Sequence, residues 1–383
     1  MMNNSDAKLP ISASPASRAC QDVIQCIFSF LTLSELVRAA RCCAQWYDWS
    51  VKSSGRTDKV RIYSRDDFQK IAQSQMLKHV ASIESYGICV NEAINHLRIS
   101  TTLTHLNVST WPCEHQCEHV TFQLPPSLTH LSVDIVWGLQ NVIDGLHTAV
   151  RLRSLQLRRV RGDLPDGYTF SQLARLRHLE QLEVQDRVVV TKTDLLIIKQ
   201  ITSLRFLNIL YANWSADDLH TLCEPPHTLH NLECITLFHT HLSVEHLMAL
   251  QHIPTMTTLE PASMRSHAIR TLHHYLPTTC VQMRIAPHTD DPLTIDMLDG
   301  IDLTHMKRLS LFYFDLSSDA GVRFLCTRLP TLNDLRLPYC TLPTELSRLH
   351  RINAESIVVK DSHITQSIDM PTLQAFKDTM AYQ

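Results

Sequence analysis

LTHLNV at residues 103–108 and LTHLSV at 128–133 are near-copies of one another, 25 residues apart. Their shared frame, apolar-x-x-apolar-x-apolar, returns as LRSLQL from Leu152, LEQLEV from Leu179, LRFLNI from Leu204 and LECITL from Leu232. Weaker copies follow: MTTLEP from Met256, CVQMRI from Cys280, MKRLSL from Met306, LNDLRL from Leu332 and AESIVV from Ala354. Two more stand upstream, VASIES from Val80 and TDKVRI from Thr57. A fixed period is the sequence mark of a repeat architecture.

Within each frame the fourth and sixth positions alternate with polar neighbours, the period of a strand with one face buried. Between frames lie amphipathic stretches that open with helix-start chemistry, such as Ser215 with Asp218, or Ser243 before VEHLMALQHIP. Ile253-Pro254, Leu276-Pro277 and Leu329-Pro330 close such stretches before the next strand, because the residue preceding a proline is disfavoured in the α region. No such unit can bury its apolar face alone, so the units stack. The expected fold class is an α/β solenoid with a parallel sheet on its concave side. Pro261 stands at a strand position of a weak repeat, where local distortion is expected.

These frames resemble the leucine-rich repeat, with its horseshoe, over about residues 57–364. The asparagine usual at the ninth repeat position is mostly replaced; Ala212, Thr240, Phe314 and Cys340 are among the residues there, and Cys340 is similar to the cysteine-containing type.

Composition narrows the function classes. The chain has 383 residues, a formal net charge of -3 and 8 glycines. Near-neutral charge gives no global attraction to nucleic acid or anionic membrane, and neither is expected as a partner. No run of 18 apolar residues exists to span a bilayer, and the first residues lack the order of a secretion signal. The 12 cysteines are scattered through a long chain, which favours reduced thiols in the cytoplasm or nucleus over a disulfide framework. GxxxxGK[ST], GxGxxG, HExxH and GxSxG are all missing. No catalytic residue, cofactor or metal is therefore assigned.

The stretch PCEHQCEH, 112–119, is the strongest candidate against that last statement, since Cys113, His115, Cys117 and His119 alternate. Extended, the four would span about 20 Å; helical, they would diverge to different sides. Neither form gathers four ligands on one tetrahedral ion. The frame that starts at Leu103 puts Cys113 at the eleventh position, which is apolar in other repeats. It reads as core.

Residues 19–50 do not fit the repeat. Val23, Ile24, Ile27, Phe28 and Leu31 make an apolar face, Thr32 and Glu35 a capping box, and Leu36, Val37, Cys43 and Trp46 extend the apolar pattern over what reads as three short helices. With Asp22, Ser29 and Phe30 this stretch resembles an F-box, departing from it at Ala19-Cys20 and Leu33. The resemblance implies docking on a Skp-type adaptor, and through it a cullin, by Val23, Ile24, Ile27, Phe28, Leu31, Leu36, Val37, Cys43 and Trp46. It further implies a non-catalytic ubiquitin-ligase subunit whose repeats hold a protein substrate.

Three alternatives stand beside it: a plain helical cap on the solenoid, a repeat scaffold or inhibitor with no ligase link, and a GTPase-activating repeat protein supported only by exposed arginines. The organisation expected is a tail at 1–18, the helical module at 19–50, about 13 repeats over 51–364 and a cap or tail at 365–383.

For a substrate surface, the fifth, seventh and eighth frame positions project from the concave sheet. They offer Arg158, Tyr211, Phe238, Phe312, Tyr313, Arg336 and Tyr339, and aromatics and arginines are the usual anchors of interfaces. Arg153, Arg158, Arg159 and Arg161 suggest a further basic patch.

Overall fold

The computed structural model describes residues 60–64, 80–86, 97, 100–109, 123–134, 144–158, 170–185, 190–210, 212, 214–224, 229–288, 293–329, 332–342, 356–358 and 363–364, with scattered positions between 23 and 39. The tails, the PCEHQCEH stretch, Leu36, Val37, Cys43, Trp46, Arg159, Arg161 and Tyr211 lie outside them.

Each of the thirteen frames contributes one strand, and among the described residues four short strands lie outside the frames. In chain order these are β1 (Val60–Ile62), β2 (Ser82–Tyr86), β3 (His105–Ser109), β4 (His130–Asp134), β5 (Ser154–Arg158), β6 (Gln181–Gln185) and β7 (Phe206–Leu210). Then come β8 (Cys234–Leu242), β9 (Thr258–Met264), β10 (Gln282–Ile285) and β11 (Leu293–Thr294). The last are β12 (Arg308–Leu311), β13 (Phe314–Asp315), β14 (Asp334–Arg336), β15 (Thr341–Leu342), β16 (Ser356–Val358) and β17 (His363–Ile364). Thirteen of them form one parallel sheet, β1 through β10 and then β12, β14 and β16, each beside its predecessor; β11, β13, β15 and β17 form a second, 4-stranded sheet. An open sheet laid down in chain order is the topology of a leucine-rich-repeat solenoid.

The register is the frame itself. Val60, Ile83, Leu106, Leu131, Leu155, Leu182, Leu207, Ile235, Leu259, Met283, Leu309, Leu335 and Ile357 stand side by side, one from every frame. The first apolar position is buried too, from Leu103 and Leu128 to Met306 and Leu332. A buried leucine is worth roughly 1.5–3 kcal/mol, and a slip of one residue would turn a whole frame inside out, so register is held strongly.

The threonine of LTHL has a reason as well. The N–H groups of the second and third frame positions both donate to the second carbonyl of the previous repeat, as Thr129 and His130 do to Thr104. The hydroxyls of Thr104, Thr129 and Thr257 donate to those same carbonyls, which adds a side-chain rung at the rim. At that position Arg153 pairs with Glu180 and Arg205 with Glu233.

On the far side, helices α1 (Lys192–Ile198), α2 (Ala216–Cys223), α3 (Val244–Leu250) and α4 (Ser266–Tyr275) pack each on the next; α5 (Asp319–Arg328) follows β13. Thr191 with Asp194 and Ser215 with Asp218 form capping boxes. Elsewhere the described part of the connection holds a 3-10 turn, at Leu146–Thr148, Ser171–Arg175 and Ile295–Leu298. Strict alternation of strand and α-helix therefore holds over only part of the coil. Among the described residues no helix is long and apolar enough to cross a membrane.

Distortion falls where Pro261 predicted it. β8 and β9 run in register to Leu237 opposite Pro261, then resume at His241 opposite Ser263, so β8 carries the longer path. Proline has no N–H for the ladder, and the bulge takes up Phe238, His239 and Thr240.

Candidate interaction surfaces

Phe238 stands in that bulge of β8. Two strands on, Arg284 of β10 carries its guanidinium carbon 5.8 Å from the Phe238 ring centroid and 4.2 Å from that of Phe312, which follows β12. Both distances are within cation–π range. Burial lowers the Arg284 pKa, while Glu260 and Tyr313 act in the opposite sense. Its Nε is buried with no hydrogen-bond partner among the described residues. Glu260, on the adjacent strand, is engaged by the Gln282 side-chain amide at 2.6 Å.

Next to this cluster the chain turns from the main sheet into the second one. Tyr313, between β12 and β13, and Tyr339, between β14 and β15, both make the corner in the left-handed region, with φ of 58° and 57°. Such a backbone costs a non-glycine residue about 1–3 kcal/mol. The repeat imposes it twice at equivalent positions, and the rings end up stacked, 5.1 Å apart with planes 9° from parallel. They are 47% and 37% exposed. Arg336 is exposed but pairs with Asp334 at 3.0 Å.

Four of the seven sequence-derived substrate candidates, Phe238, Phe312, Tyr313 and Tyr339, thus gather on one region, with Arg336 one strand beyond Phe312. Arg158 lies far along the sheet on β5, where it donates to Gln156 at 3.0 Å, and Arg153 is spent on Glu180. The other two arginines of the suggested basic patch, Arg159 and Arg161, lie outside the described residues. The cation at the centre of the aromatic region is Arg284. Its fifth frame position marks it as outward-facing, but nothing local in CVQMRI shows that two rings from other repeats flank it.

The other end of the sheet differs. Stacked Tyr63 and Tyr86, 5.3 Å apart, flank a ladder in which Arg61 and Asn107 both donate to Glu84. The hydrogen bond to Glu84 is the largest influence on Arg61 and Tyr86, and it raises both pKa values. Beyond them runs a trough of about 360 Å³ lined by uncharged polar residues such as Ser82, Asn107, Ser132 and Gln156 together with Ile83, Leu106 and Leu131. His105 and His130 stack in it at 4.1 Å, and burial lowers the His130 pKa with help from His105. The third frame position, which sequence reading passed over, lines this trough. Its signal was the repeated LTHL.

In the N-terminal module positions 23, 24, 26–28, 35, 38 and 39 are helical. The single apolar face expected there is split. Phe28 is 3% exposed, and Ile24 and Leu31 pack half-buried against the apolar core, while Val23 and Ile27, one turn apart, are 60% and 53% exposed. Helical spacing explains this: 24, 28 and 31 share one stripe and 23 and 27 the next. No cluster of three or more possible metal ligands occurs among the described residues.

Residues 20–55 match the family model of the F-box domain. No curated protein matches the chain. Among solved structures, the crystal structure of an internalin (inlF) from Listeria monocytogenes aligns with 78% of this chain and 88% of its own at 16% identity and a TM-score of 0.44. The chain therefore carries an F-box domain ahead of the leucine-rich-repeat coil built up above.

Proposed function

We propose that the protein is a non-catalytic substrate receptor of an SCF-type ubiquitin ligase, working in the cytoplasm or nucleus. The observation that carries this reading is the F-box domain at 20–55. Its helix keeps Phe28 inside and leaves Val23 and Ile27 exposed. Isolated exposed aliphatics are ordinary, but a pair one turn apart on a short helix makes a small face able to enter a partner's groove. That partner is a Skp-type adaptor, and through it a cullin.

The repeats supply the other hand. A thirteen-stranded sheet offers a long, rigid row of outward side chains, the kind of surface repeat proteins use to hold other proteins. The aromatic region around Arg284 is the part of that row assigned to substrate. Its contribution to ubiquitin transfer would be proximity: holding substrate near a charged conjugating enzyme raises effective concentration without any side-chain chemistry.

The test is recovery of the protein from its native cells with identification of what comes with it. A Skp-type adaptor and a cullin are expected, and Ile27→Asp combined with Trp46→Ala should remove both while the repeats stay folded. Recovery of intact protein without adaptor would favour a repeat scaffold that has no ligase link.

A further inference from the structure

We infer that the Arg284 clamp binds a carboxylate of an extended acidic segment in the substrate protein, an aspartate or glutamate side chain whose neighbours lie on the Phe238, Phe312 and stacked-tyrosine surface. The inference rests on the reading of the repeats as the substrate-holding part.

A guanidinium has five N–H donors in one plane. The rings of Phe238 and Phe312 attract its charge but accept none of those hydrogens in the plane. Nε is buried and lacks an acceptor among the described residues, and Arg284 takes part in no ion pair there. Glu260 stands on the next strand but receives the Gln282 amide. The site thus holds a cation already stripped of part of its water, and its two terminal nitrogens, which are not buried as Nε is and donate no hydrogen bond among the described residues, form the unspent edge. A planar carboxylate, bonded through two oxygens, is the complement of that edge.

The surrounding charges select among anions. Along the outward third and fifth frame positions of the main-sheet strands β9, β10, β12 and β14 stand Glu260, Arg284, Arg308, Asp334 and Arg336. Three cations against two carboxylates leave one positive charge, which a single carboxylate balances. A phosphate dianion would overshoot it and meet Glu260 on the strand beside Arg284. The clamp is also preorganised. Two tyrosines pay a backbone cost to stand stacked at the corner of consecutive repeats, so little ordering remains for the moment of binding.

The experiment uses the folded full chain on arrays of immobilised twelve-residue peptides, random except for a central glutamate, phosphoserine or glutamine. The glutamate set should bind at least about tenfold better than the glutamine set. Arg284→Gln should erase that preference, Arg284→Lys should keep part of it, and Phe312→Ala should weaken binding to all sets, with melting curves showing each variant folded. Stronger binding of the phosphoserine set, equal binding by wild type and Arg284→Gln, or no set bound above the glutamine background would each overturn the inference. Adaptor capture by the same preparation reports separately on the ligase assignment, so a failure of either is seen without the other.

Discussion

Gly321 shows two residue-scale effects opposed, with magnitudes deciding between them. It sits in the first turn of α5, where its N–H donates to the Ser318 hydroxyl at 3.2 Å. Helix propensity alone would favour alanine by about 1 kcal/mol. A Cβ there, however, would lie 2.8 Å from the Cα of Leu316 and 2.9 Å from its carbonyl oxygen, both backbone atoms that cannot swing aside. Gly321→Ala should therefore lower stability by about 1–3 kcal/mol, read as a drop in urea midpoint; a rise would mean that this contact relaxes freely. Thr240 is a second case. It takes the ninth repeat position, where its hydroxyl accepts from the Trp214 N–H at 3.2 Å and donates to the Ala212 carbonyl at 3.4 Å. Thr240→Val keeps the shape and strands a buried donor, so a loss of about 1–3 kcal/mol is expected in the same assay. A neutral result would show that the hydroxyl does not stand in for the missing asparagine.

At the scale of elements, the sequence made the strands legible because every frame obeys the same burial demand. Position four of each frame from Val60 to Leu335 is a core residue, Ile357 continues the same row, and even the weak frames at Thr57, Met256 and Cys280 pair in that register. The helices were legible where a side chain caps them, as at Ser215, and less so where the connection holds a 3-10 turn too short to show a period. The site was half legible. Phe238, Phe312, Tyr313 and Tyr339 carry their outward direction in their frame number, whereas the place of Arg284 between two rings depends on the bulge opposite Pro261 and on strands far apart in sequence. Cysteines read the same way. Cys223 closes α2 and Cys280 opens a frame, and burial pushes each thiol to about 12; Cys234 and Cys340 rise to about 11, again chiefly through burial. The thiolate is the reactive form. These four should resist iodoacetamide at pH 8 in the folded protein and label fully in urea, as peptide mapping would show, while exposed Cys26 serves as the contrast. Rapid native labelling of Cys223 or Cys280 would contradict the packing.

For the whole molecule, strand pairing runs only from each turn of the coil to the next, and the longest side-chain reach described, Arg284 to Phe238, crosses a single repeat, so the two ends can serve different partners with little mutual disturbance. The F-box match covers residues 20–55, ahead of β1, and the aromatic clamp lies on β8 to β14, toward the other end of the sheet. The proposed ligase role requires the exposed face of the F-box helix to dock an adaptor. The direct measurement is the affinity of purified full-length protein for a purified Skp-type adaptor, wild type against Val23→Asp with Ile27→Asp. Neither side chain is buried, so circular dichroism of the variant should match wild type. Wild type should form a one-to-one complex and the variant should lose at least about tenfold in affinity, as expected when charge is put into an apolar contact. No complex with wild type, or equal affinity for both proteins, would contradict it.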